Sequence, residues 1–161
     1  MKNNHQITLG ISLGTRTIGY VVLQNQELYD WGVKSFKEKW SDLKIQHILK
    51  AMERIIVEHE VTNASIKIPR QTETYKSINE LQNALSDIFK QHSINVYTSS
   101  LNNLKLWYSI DEKSPKSSLE EYVLAHYPVL CKKQYLSDAG HKYYMKLYEA
   151  LAAAEMSQFL K

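Results

Sequence analysis

The chain has one cysteine, Cys131, so no internal disulfide can staple it. A lone thiol in the apolar setting Val129-Leu130-Cys131 reads as a small buried hydrophobe, and it fits a reducing compartment. No apolar run approaches the ~20 residues needed to cross a bilayer. The polar start Met1-Lys2-Asn3-Asn4-His5-Gln6 leads into no apolar segment of secretory type. The expectation is a cytoplasmic protein without membrane contact. Arginine is scarce, with only Arg16, Arg54 and Arg70, and the net charge is just +3. So mild a surplus permits a nucleic-acid partner without demanding one. The six histidines never fall three or four apart, so no zinc site is readable. No glycine-rich phosphate loop and no nucleophile–base pair is present either.

What is present is a globular composition. With 161 residues, a hydrophobic fraction of 43% and three prolines, the chain can bury a core as a single domain over 1–161. Its organising stretch runs from Ile7 to Gly32. Ile7, Leu9 and Ile11 alternate with Thr8, Gly10 and Ser12, the period of a half-buried strand. Gly14 stands where a hairpin calls for a backbone that glycine adopts cheaply. Tyr20 to Leu23 supply a second strand, and Leu28 to Gly32 begin a third.

Beyond it, Ser41 is placed to cap a helix reaching about Glu60, with Leu43, Ile48, Leu49, Met52, Ile55 and Ile56 on one face. Ala64 to Pro69 read as a short strand. Ser77-Ile78-Asn79-Glu80 has the form of a capping box, opening a helix lined by Ile78, Leu81, Leu85, Ile88 and Phe89. Ile94 to Tyr97 read as a strand and Leu101 to Trp107 as a short helix. Asp111 to Pro115 read as a polar loop. A helix opened by Ser117 or Ser118 carries Leu119, Tyr122, Val123 and Tyr127 until Pro128. The last helix opens at Asp138-Ala139-Gly140 and sets Leu147, Leu151, Ala154 and Phe159 on one side. Of the eleven tyrosines, Tyr122, Tyr127, Tyr135, Tyr143, Tyr144 and Tyr148 gather in the C-terminal half. Such residues suit a core or a dimer face better than base stacking.

The segment Gly10-Ile11-Ser12-Leu13-Gly14-Thr15-Arg16-Thr17-Ile18-Gly19-Tyr20 resembles the opening of the RuvC-type Holliday junction resolvases. Those proteins begin Gly-Ile-Asp-Pro-Gly-Thr/Ser, then a basic residue and Thr-Gly-Tyr. The resemblance implies an α/β, RNase H-like fold: a mixed five-stranded sheet flanked by helices. It extends to Lys116-Ser117-Ser118-Leu119, matching the family's Lys-Ser-x-Val. It extends also to Lys146-Leu147-Tyr148-Glu149-Ala150-Leu151-Ala152-Ala153-Ala154, against Asp-x-x-Asp-Ala-x-Ala-x-Ala.

In that family a cluster of carboxylates holds two divalent cations for phosphodiester hydrolysis. Its acid positions fall here on Ser12, Lys67, Lys146 and Glu149. Two ammonium groups, one carboxylate and a neutral hydroxyl leave a formal charge of +1. An ammonium ~4 Å from a unit positive charge opposes it by about 4 kcal/mol at an effective dielectric near 20, and a divalent ion feels about twice that. Metal-dependent cleavage is therefore not expected, and neither is a cofactor. Of the other acids, Glu73 lies in a loop, while Asp138 and Glu155 lie on other turns or faces of the last helix. The Lys67 ammonium can instead stand in for the ion and pair with Glu149; alternatively it reaches solvent without a partner.

The resemblance also implies that Arg16, Arg70 and Lys116 contact nucleic acid. The slot of the family's junction-wedging aromatic holds Arg70, with Tyr75 the nearest aromatic. Two functions stay open. One is a RuvC-like protein that has lost cleavage and acts by binding structured DNA or RNA, or a protein partner, as a homodimer paired through about Ser77 to Gln91. The other is a divergent endonuclease of Holliday junctions that uses magnesium or manganese.

Overall fold

The computed structural model describes residues 5–70, 75–115, 117–130 and 138–159. Five strands form one sheet: β1 (Ile7–Ser12), β2 (Thr17–Gln24), β3 (Glu27–Ser35), β4 (Asn63–Lys67) and β5 (Asn95–Ser99). The order across the sheet is β3-β2-β1-β4-β5. The first three strands are antiparallel neighbours, and β4 and β5 add in parallel to β1. The helices are α1 (Asp42–His59), α2 (Tyr75–Gln91), α3 (Leu101–Trp107), α4 (Ser117–His126) and α5 (Asp138–Phe159), with a short 3-10 turn at Pro128–Leu130. The mixed five-stranded α/β sheet expected from the sequence is the architecture found.

Each face of the sheet has its own core. Leu9, Ile11, Ile18, Val22 and Ile66 pack with Ile48 and Met52 of α1 and with Leu81, Leu85 and Phe89 of α2. Val21 and Leu23 pack on the opposite face with Leu147, Tyr148 and Leu151 of α5 and with Leu104 and Leu119. The strand β1 is thus covered on both sides. Thr8, Gly10 and Ser12, the small residues alternating along this strand, lie under α5, with Thr8 and Ser12 at 0% exposure. Alternation of large and small residues here records one deep face and one closely approached face. A Cβ on Gly10 would stand 2.2 Å from the Ala150 carbonyl oxygen, and one on Gly19 2.2 Å from that of Lys146. Small residues on both partners, including Ala150, Ala153 and Ala154, let helix and sheet backbones meet.

Several local expectations need correction. Gly14 is not left-handed, since no glycine among the described residues has positive φ. What excludes a side chain there is space: a Cβ would lie 2.6 Å from the Thr17 carbonyl oxygen. The left-handed positions of the β2–β3 turn are Asn25 and Gln26, with φ of 50° and 70°. Ser77 does not open α2, which already includes Tyr75, and the Glu80 carboxylate accepts from Trp40 Nε1 at 3.1 Å. Ser41 does cap α1, accepting from the Lys44 amide at 3.1 Å. The helix ends at left-handed Glu60. Ser100 caps α3 through a reciprocal box with Asn103 that the sequence reading had not picked out. Leu43, Tyr122 and Phe159, assigned to buried faces, are 57%, 44% and 52% exposed. Cys131 and Tyr135 lie outside the described residues, as does the side chain of Tyr143.

Candidate functional site

The strands β1 and β4 end side by side, and in their parallel register Ser12 is the partner of Lys67. Lys67 is in turn the partner of Ser99 on β5. These last residues project toward α5, where Glu149 meets them. Its carboxylate pairs with the Lys67 ammonium and accepts from Ser12 Oγ at 3.2 Å. The ion pair is sealed, with side-chain exposures of 5% for Lys67 and 3% for Glu149. Two isolated buried charges would each cost several kcal/mol; together, with the serine hydroxyl on the same carboxylate, they offset one another.

Lys146 sits about one turn before Glu149 on α5. Its ammonium donates to the Leu13 carbonyl oxygen at 2.7 Å, just past the end of β1. It also stands 3.2 Å from where a Gly14 Cβ would be, so the glycine makes room for the lysine head. The sequence-predicted group Ser12, Lys67, Lys146 and Glu149 is therefore gathered at one end of the sheet. Ser99, missed from sequence, adds a buried hydroxyl without a hydrogen-bond partner beside Lys67.

This donor set does not fit a divalent cation. It offers one carboxylate, already committed to an ammonium and a hydroxyl, where magnesium asks for several oxygen ligands. Among the described residues no group of three or more His, Cys, Asp or Glu side chains converges. Glu155, considered above as a substitute acid, is engaged elsewhere. It accepts from Tyr108 Oη at 2.8 Å and lies 3.8 Å from His126 Nδ1. Burial, then the Glu155 charge, pushes the Tyr108 hydroxyl well above its ordinary range. The same two causes push Tyr127 up to about 12. Glu73 and the side chain of Asp138 lie outside the described residues.

The basic residues divide. Arg16 is exposed on the turn after β1 and lines a cleft with Thr15, Lys37 and Trp40 on the α1 face of the sheet. Arg70 is exposed beyond the end of β4. Lys116 and the side chain of Tyr75 lie outside the described residues.

With that geometry in view, likeness to solved structures is informative. Thermus thermophilus RuvC in complex with a Holliday junction substrate superposes with a TM-score of 0.73 at 17% identity, covering 97% of this chain and 94% of that one. A second structure of Thermus thermophilus RuvC gives 0.69 at 15% identity, covering 92% and 91%. The fold is that of the RuvC-type resolvases. The yeast mitochondrial Holliday junction resolvase also matches, with a TM-score of 0.58 at 13% identity, covering 96% of this chain and 82% of that one. No protein-family profile matches the chain, and no curated protein sequence does. At such low identity the RuvC likeness establishes architecture, and chemistry must come from the residues. Among the described residues, no helix is long and apolar enough to cross a membrane.

Proposed function

We propose that this chain is a RuvC-type protein that has lost metal-dependent cleavage and acts by binding structured nucleic acid. One observation carries the reading: the Lys67 ammonium holds Glu149 at the buried end of β1 and β4. An ion pair there keeps the pocket closed and electrically balanced, whereas a cluster of free carboxylates would need cations to stay together. Binding then depends on cations such as Arg16, Arg70 and Lys116, and branched DNA is the ligand of the Thermus RuvC structure with the same fold.

The deciding experiment mixes the protein with labelled branched DNA over a range of salt, with and without manganese. The expected result is binding that weakens steeply as salt rises, without strand cleavage. Cleavage that needs the metal and disappears in Glu149→Gln would establish the endonuclease instead. Absence of salt-sensitive binding, with a protein co-purifying stoichiometrically, would make the chain an interaction subunit.

Pairing of two copies through α2, in the cytoplasm, belongs to the same reading. Among the described side chains of α2, the exposed ones (Lys76, Asn79, Glu80, Asn83, Asp87, Lys90 and Gln91) are all polar. A dimer formed there would be held by charges and amides and would dissociate with salt, which sedimentation velocity measures directly.

A further inference from the structure

Three lysines are buried among the described residues: Lys44, Lys67 and Lys105, at 3%, 4% and 2% exposure. Each must dispose of an ammonium away from water. Lys67 has Glu149. Lys105 donates to two carbonyl oxygens, those of Glu112 at 3.0 Å and Ser114 at 2.7 Å, and thereby ties down the loop between α3 and α4. Lys44 is different. Its hydrogen bond goes to one carbonyl oxygen, that of Glu38 at 2.8 Å, and its ammonium lies 5.9 Å from the centre of the Trp40 ring. No carboxylate among the described residues pairs with it.

Lys44 also lines a cleft of about 600 Å³. Arg16, Lys37 and Lys39, all exposed, stand on the walls of that cleft, and Thr15 and Ser35 add hydroxyls. Among the described lining residues the one carboxylate, Glu38, is turned to His47 Nδ1 at 2.8 Å, and Glu80 stands beside the cleft on the Trp40 indole. Four lining cations against Glu38 and the neighbouring Glu80 leave the cleft positive, with the 3%-exposed Lys44 on its lining. The cleft lies on the α1 and α2 face, opposite the Ser12–Lys67–Glu149 cluster under α5. It opens at the end of the sheet where β1 and β3 finish.

We propose that this cleft is an anion site that holds backbone phosphates of a nucleic-acid strand. A buried cation lacking a counter-ion is supplied with one when a phosphate enters, and the low dielectric around Lys44 makes that exchange more favourable than on an open surface. Several cations in sequence along the walls suit a polyanion better than a single small anion. The half-buried Trp40 adds a ring face against which sugar or base can rest. The assignment rests on the nucleic-acid reading and locates its contact away from the closed pocket.

The test is fluorescence anisotropy with labelled branched and single-stranded DNA at several salt concentrations. Lys37 and Lys39 are exposed, so the Lys37→Glu/Lys39→Glu double variant keeps the fold. It should weaken binding by about tenfold or more and lower the slope of log affinity against log salt by about two. Lys44→Met, whose folding is checked by circular dichroism, should also weaken binding while melting no lower than wild type. Double-variant binding within about twofold of wild type, with an unchanged salt slope, would overturn the assignment while leaving nucleic-acid binding intact. Wild type that binds no DNA would sink the functional reading and this assignment together. Inorganic phosphate that displaces DNA as effectively as an oligonucleotide at equal phosphate concentration would show a single-anion pocket and overturn it as well.

Discussion

Lys67 on β4 and Glu149 on α5 form a sealed ion pair that joins one end of the sheet to the helix covering it. Removing one member leaves the other charged and buried without a partner. Lys67→Ala should therefore cost about 3–5 kcal/mol, far more than loss of an exposed lysine. Replacing both with apolar residues of similar volume, as in Lys67→Met/Glu149→Leu, should recover most of that loss. A double-mutant cycle by urea denaturation measures the coupling. A single-variant cost within about 0.5 kcal/mol of wild type would mean the pair does not hold the pocket.

Close approach of α5 to β1 and β2 gives a second prediction. A methyl group at Gly10 or Gly19 would collide with backbone carbonyl oxygens of α5, which no side-chain rotation can relieve. Gly10→Ala and Gly19→Ala should each destabilise by about 1–3 kcal/mol, seen as a lower urea midpoint at unchanged slope. Gly32 is the internal control. Its nearest neighbours are side-chain atoms of Tyr20, the closest at 3.0 Å, so Gly32→Ala should cost less.

Alkaline pH tests the cluster around Glu155. Tyr127 has its folded-state value raised from 10.0 to about 12 by burial and then by Glu155, and Tyr108 moves in the same direction. A hydroxyl that is harder to ionise when folded contributes its full stability below the unfolded value. That contribution is lost as pH rises through about 10 toward 12. Unfolding free energy should thus fall between about pH 10 and pH 12, reversibly, when followed by denaturant titration. Tyr108→Phe should flatten the decline, while also losing about 1 kcal/mol at neutral pH with the Glu155 hydrogen bond. An equally steep decline in Tyr108→Phe would place its origin elsewhere.

Much of this architecture is legible in the chain itself. Apolar spacing and a capping serine locate α1, and Leu101 to Trp107 are the observed α3. What pattern alone misassigns are residues whose neighbours come from far away. Thr8, Gly10 and Ser12 look like the wet side of a strand because small polar residues serve equally well against water or against a closely packed helix. Lys44, in the first turn of α1, looks solvated; only the return of the β3–α1 connection over it buries its ammonium. Lys67 and Glu149 lie far apart in sequence, and only the change of sign against the RuvC frame suggests that they meet. The engagement of Glu155 by Tyr108, across 47 positions, leaves no local signal at all.

Restoring the acids is the sharpest test of what the pocket became. Ser12→Asp/Lys67→Glu/Lys146→Asp, with Glu149 retained, places carboxylates at all the positions where the RuvC frame expects them. Without metal these like charges repel in a buried space, so the variant should melt well below wild type in the presence of a chelator. Manganese should then raise its melting temperature in a concentration-dependent way, since a ligand at 100 times its dissociation constant adds about 2.7 kcal/mol. Wild type, whose single carboxylate is held by Lys67, should not respond. A variant that folds but gains nothing from manganese would mean these side chains do not converge as a cation site. A wild-type protein stabilised by manganese would mean that acids beyond this pocket hold the metal, and the endonuclease reading would take precedence.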